Sequence, residues 1–162
     1  MNKNVTRRQL AVGGLGAAGL LALGRYAHAT VCPPDQVRLH GSGQKPGATM
    51  PKGVTDNVIA SMALVEETEV GVNDRLFRLR RLEIKPGGEV PWHSHADRPA
   101  IIYVAEGEIV EYASNCSVPI VHKAGEVSPE TNGTSHWWEN LGSQTVILFV
   151  GDVLHDKSDH NM

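Results

Sequence analysis

His93 and His95, one residue apart, are the side chains of this 162-residue chain best placed to do chemistry. In an extended strand, positions i and i+2 point to the same side, so both imidazoles converge on one wall. Two ring nitrogens on one wall are half of a metal site. The same pair also occurs on ordinary protein surfaces, so its surroundings must decide. Cys32 and Cys116 are the only thiols. Both fall on loop-like segments, and in an oxidising compartment they are expected to form a disulfide tying an N-terminal arm to the 113–117 loop; two free thiols are the alternative. Arg75, Arg78, Arg80 and Arg81 form the one basic cluster. Arg78 and Arg80 share a strand face, where an anion could bind, but the cluster reads first as a solvated outer face opposite Glu66, Glu67 and Glu69.

The frame that must hold these residues begins with a leader. Residues 1–29 carry Lys3, Arg7, Arg8 and Arg25 and no acid, followed by a soft apolar stretch over 11–24 and then Ala27-His28-Ala29. Small residues at the −3 and −1 positions complete the three-part plan of a secretory signal. The Arg7-Arg8 pair resembles the twin-arginine class, which implies export through that machinery to the periplasm or beyond, with mature protein from Thr30. Without the leader, eleven bases face eighteen acids, a balance that disfavours nucleic acid as a partner.

Residues 30–55 are rich in Pro and Gly and read as an irregular arm. Over 56–154 the pattern is one of short β-rich runs: 100–104, 109–112, 118–122 and 145–150, separated by turn residues. Val58, Ala60, Met62 and Leu64 alternate in the same way. No helical stripe is present, and residues 155–162 form a polar tail. Several short strands at this spacing predict one all-β sandwich or barrel.

Two blocks in that region resemble the cupin family. Gly87, five residues, His93-Ser94-His95 and eleven residues to Gly107 match its first motif. Gly125, five residues, Thr131-Asn132-Gly133, two residues, His136, three residues and Asn140 match its second, with Thr131 in place of a Pro. The resemblance implies a double-stranded β-helix, a small jelly-roll barrel. It also implies a metal held by His93, His95 and His136. The family's usual fourth ligand, a Glu, is here Ala100. Family members with three neutral histidines include Fe(II) dioxygenases, so Fe(II) is favoured over Mn(II) or Zn(II). The implied function is a mononuclear dioxygenase acting on a small anionic molecule. A non-catalytic metal- or ligand-binding cupin and a redox-neutral isomerase or lyase are the alternatives, and a homodimer is a further expectation.

Ala100, Ile102 and Val104 should share the pocket face, and Trp138 should share the face of His136. Parity from Ile109 aims Glu111 inward, where it could act as acid or base; a turn or bulge at Gly107 would break that parity and expose it. Arg98, just after His95, could clamp a substrate carboxylate at the barrel mouth or pair with Asp97 or Glu106. His40 and His122 have no visible partners. The tail, with His155 and His160, could add ligands or close the mouth, though a polar end is the simpler reading.

Overall fold

The computed structural model describes residues 28–39, 41–66, 72, 74–131 and 133–155. Nearly all of the expected leader, His40, Glu67, Glu69 and the tail beyond His155 lie outside the described residues. The chain forms β1 (His28–Ala29), β2 (Lys52–Ala63), β3 (Leu76–Ser94), β4 (Ala100–Glu106), β5 (Glu108–Ala113), β6 (Ile120–Lys123), β7 (Glu126–Glu130), β8 (Ser135–Glu139) and β9 (Val146–Leu154). No α-helix occurs among the described residues. The strands run in the order β1-β7-β4-β9-β3-β8-β5-β6, with β2 added along β3. This is the nearly closed jelly-roll barrel that the two motifs implied.

Inward residues follow the period of two. Leu82, Ile84 and Val90 on β3, Ile102 and Val104 on β4, Ile109 on β5, Trp138 on β8 and Val146, Leu148 and Val150 on β9 form one buried cluster. Long β3 is what joins the two ends of the barrel. Its first part pairs with β2 and β9, and its last part with β8.

The arm is shorter than its composition suggests, because β2 begins at Lys52. Gly53 takes a positive φ of 60° at a register shift between Lys52 and Val54, so this Gly serves a bulge inside a strand. Along β2, Val58, Ile59 and Met62 are about half exposed, as are Ile101 on β4 and, less so, Phe77 and Leu79 on β3. The alternation seen in the sequence marks an edge strand and not a buried one.

The arm is held down by Cys32–Cys116, which form a disulfide. Backbone bonds reinforce it: Arg38 N to Asn115 O at 2.7 Å, Gly43 N to Ser114 O at 2.8 Å and Ser117 N to Gln36 O at 2.9 Å. Gly43 is required by closeness, since a Cβ there would lie 2.4 Å from the Cys116 carbonyl oxygen.

One expectation fails at the basic cluster. Arg80 has the parity of Leu82 and Ile84, so it points inward and is buried. Its guanidinium bonds Asp56 and lies 3.3 Å from Asp152, while Arg78 grips Asp152 with a fork of 3.0 and 2.7 Å. Arg78 and Arg80 are therefore structural ion-pair partners and not a solvated face.

Candidate metal centre

Three strand devices bring the histidines together. β3 and β8 pair His93 with His136 and Val90 with Trp138, so three steps on β3 match two on β8. The extra residue is a bulge at Pro91-Trp92, which lets Val90 and His93 both face inward. Pro91 has no N–H to leave stranded there, and its carbonyl accepts the His93 Nδ1–H at 2.9 Å. His95, just past the strand end, donates Nδ1–H to the Arg98 carbonyl at 2.6 Å. His136 donates Nδ1–H to Glu111 Oε1 at 2.8 Å.

Each of these partners can only accept, which assigns the Nδ1–H tautomer to all three rings. Every Nε2 then carries a lone pair. The three Nε2 atoms lie 3.0, 3.0 and 3.1 Å from one another. Lone pairs that converge so closely repel unless a cation sits among them. With bonds of about 2.1 Å, ligand nitrogens lie about 3.0 Å apart at right angles and about 3.4 Å apart in a tetrahedron. The observed spacing fits one face of an octahedron, so the donor set suits a six-coordinate divalent ion.

Carboxylates surround this group. Glu111 is buried, which settles its parity as inward. Its second oxygen accepts from His122 Nε2 at 2.8 Å, and the His122 ring stacks on Trp138 with centroids 4.7 Å apart. Burial alone would raise the Glu111 pKa, yet these two hydrogen bonds bring it down to about 2. Glu130 is buried as well, 3.4 Å from His136 Nδ1, with its other oxygen accepting from the Ser128 hydroxyl at 2.6 Å. Burial and the nearby Glu111 charge push its pKa up.

Burial, reinforced by the charge of His136, lowers His93 to about 2, and the same causes lower His95 to about 3. Burial also acts to lower His136, but Glu130 and Glu111 outweigh it and raise the ring above its ordinary value. Burial thus keeps His93 and His95 in the neutral form that can bind a metal.

Of the residues singled out in the sequence, His93, His95, His136 and Glu111 come together. Trp138 is buried, with its indole Nε1 3.1 Å from His136 Nδ1, and Ala100 faces the interior. Arg98 is buried and not open at a mouth; it gives His95 its carbonyl, and its charge lowers the histidines further. His155 pairs with Asp74 at 3.1 Å in an exposed position and adds nothing here.

Two residues escaped the sequence reading. His122 seemed partnerless because Glu111 lies eleven residues away across the β5–β6 pairing. Glu130 sits opposite Ala100 on the neighbouring strand, while Asp152 flanks Ala100 on the other side. A carboxylate therefore stands beside the position where the motif lost one. The only trace in the sequence is the alternation of Ser128 and Glu130, which reveals no strand partner.

The comparisons with known proteins agree with this architecture. Residues 80–151 match the family model for the cupin domain. Auxin-binding protein ABP19b of Prunus persica is 30% identical over 82 residues, which are 49% of this chain and 39% of that protein. ABP19a of the same plant is 28% identical over the same shares. The chain spans about two fifths of the length of these curated relatives. Among solved structures, a predicted oxalate decarboxylase from Thermotoga maritima superposes with a TM-score of 0.51 at 25% identity, covering 76% of this chain and 98% of that one. The barrel that carries the three histidines has the cupin fold, and residues 80–151 within it match the cupin-domain model.

Proposed function

We propose that this chain is an exported, mononuclear metal-dependent dioxygenase, with Fe(II) held by His93, His95 and His136. One observation carries the reading: three pinned imidazoles turn bare Nε2 atoms toward a common point at right-angle spacing. That arrangement leaves three positions of an octahedral ion free. A bound divalent ion would supply Lewis acidity and, as iron, redox chemistry toward a small chelating anion. The chain's own residues hold the imidazoles neutral and oriented: Pro91 and Arg98 through carbonyls, Glu111 through its carboxylate. Trp138, Ile102, Val90, Leu148 and the buried Arg80 line an interior space of ≈ 20 Å³ beside His93, room for about one water. The Cys32–Cys116 disulfide supports export, as do the twin arginines. The exposed apolar residues on β2, β3 and β4 support a homodimer.

A redox-neutral lyase is the second reading, favoured by one feature. Glu111 has both oxygens engaged, but Glu130 has one oxygen without a good donor, and it could handle a proton. The predicted oxalate decarboxylase among the structural relatives points the same way.

An oxygen electrode separates the readings. Fe(II)-loaded protein is offered small thiols, diketones, phenols and keto acids, and carbon dioxide release is followed in parallel. Uptake with one class, abolished by His136→Ala, is expected. Carbon dioxide release without net uptake would favour the lyase, and neither would favour a binding protein. Ala100→Glu adds a carboxylate between Glu130 and Asp152. It should tighten metal binding and abolish uptake, because a free position and a unit of charge are lost.

A further inference from the structure

The outer side of the barrel wall carries a row of residues that no part of the metal centre uses. Register sets Ala60, Leu79, Gly151, Ile101 and Pro129 side by side on β2, β3, β9, β4 and β7. Arg80, Leu82, Ala100 and Ile102 are buried on the inner side, so Leu79 and Ile101 point out. No member of the row is charged. Met62 and Phe77 pair one step further along on one side, and Phe149 pairs with Tyr103 on the other. Arg81 enters only at the rim, beside Phe149, and is already bonded to Glu83. Ile101 is 59% exposed and Met62 51%, so the face stands open among the described residues.

The edge of this face carries the same signal. Residues 57–62 on β2 are exposed throughout, read Asn-Val-Ile-Ala-Ser-Met, and contain neither charge nor Pro. Proteins that keep an edge strand single place such residues on it. Size is sufficient for a stable contact. Five strands about 4.8 Å apart and three outward rows about 7 Å apart make a face of roughly 500 Å². Two such faces together give about 1,000 Å², the area a specific interface needs.

The relief of the row chooses the partner. Gly151 is a hollow between two ridges, Leu79 on one side and Ile101 on the other. Phe77 leans over that hollow, since a Cβ on Gly151 would lie 3.5 Å from its ring. A twofold axis running along β9 over Gly151 sets Leu79 of each copy against Ile101 of the other. The two Phe77 rings then fill the space above the glycines, and no like charges meet.

We infer that the outer face of β2, β3, β9, β4 and β7 is the surface on which two copies of this chain pack, with Leu79 and Ile101 at its centre. The inference rests on the homodimer proposed above and gives that dimer its interface. No bound metal enters it.

Sedimentation equilibrium of the mature, disulfide-bonded protein over a range of concentrations is the test. Wild type should sediment at twice the mass of one chain. Leu79→Lys and Ile101→Lys should each weaken association roughly a hundredfold, because a charge is forced into the centre of the contact. Both variants should keep the urea midpoint and the metal content of wild type. Val121→Lys, at an exposed apolar residue of β6 outside this face, should leave the dimer intact. Should one lysine variant not fold, the other decides, since the two positions lie on different strands. A dimer that survives the lysine at Leu79 and at Ile101, or that is broken by Val121→Lys, would overturn this surface and leave the homodimer reading standing. A wild type that stays monomeric at every concentration would leave the face to a different partner and remove both.

Discussion

Ala100 separates two buried polar groups inside one barrel, and they are solved in opposite ways. On the β9 side stand Arg78, Arg80, Asp56 and Asp152, two cations and two anions paired with each other. On the β7 side stand His93, His95, His136, His122, Glu111 and Glu130, rich in acceptors, with the buried Arg98 as the one fixed cation acting on the histidines among the described residues. The first group is balanced in charge, although Asp56 Oδ1 and Arg80 Nε are left without a partner among the described residues. The second is incomplete without a positive charge from outside. A balanced buried network is scaffold, whereas a buried excess of acceptors is a site.

The contrast predicts different damage from mutation. The largest effect should come from His93→Ala, His95→Ala or His136→Ala, each costing more than a hundredfold in metal affinity. The metal-free variants should remain folded, because removing one imidazole also relieves the crowding of lone pairs. Chelator competition with a parallel urea melt checks both halves. Unaltered retention in the triple variant would remove the site.

Asp152→Asn should act the other way round. It strands Arg78 and Arg80 in the interior, so the expected cost is about 3–5 kcal/mol of stability. The fraction that stays folded should still hold one metal per chain. Metal loss without loss of stability would erase the distinction between the groups.

Glu111→Gln sharpens the comparison from within the second group. The amide keeps the shape but removes the charge that orients His136, and such partners are worth about 10–100-fold in metal affinity. Competition titration reads that loss directly, and an unchanged affinity would show that Glu111 does not act through His136.

A smaller effect follows from protons. Unfolded histidines titrate near 6.5, while folded His93 and His95 stay neutral down to about 2 and about 3. The unfolded chain therefore binds more protons below about 6.5, and the metal-free protein should lose stability as pH falls from there. Glu111, lowered to about 2, adds to that loss once pH drops below its ordinary 4.5. His136 is raised and contributes with opposite sign, stabilising below 6.5 and losing that share as pH rises through its folded value. Glu130, raised as well, acts in the same direction as His136. The large lowering of both His93 and His95 outweighs the two, so the urea midpoint should be lower at pH 5 than at pH 7.5. A higher midpoint at pH 5 would contradict the assigned protonation.

What the sequence made legible was local. His93-Ser94-His95 and His136 follow from motif spacing within single strands. Ile102, Val104 and Trp138 follow from the period of two. Arg80 was misplaced although its parity with Leu82 and Ile84 pointed inward, because a cluster of like charges reads as surface until its acids are seen, and Asp56 and Asp152 lie on other strands. Glu130 was invisible for a similar reason. Its place beside Ala100 is a matter of register between β4 and β7, and register across distant strands leaves no mark on one sequence. Glu111 fell between the two. Its parity was readable, but only the structure shows that the turn at Gly107 lets β5 restart without shifting it.

Optical absorption of the Co(II)-loaded protein tests the central claim most directly, since cobalt colour reports coordination number. The right-angle spacing of the three Nε2 atoms predicts one cobalt per chain with the weak visible bands of a six-coordinate ion, and loss of those bands in His136→Ala. Intense bands of a tetrahedral ion, or no cobalt retained by folded protein, would contradict it.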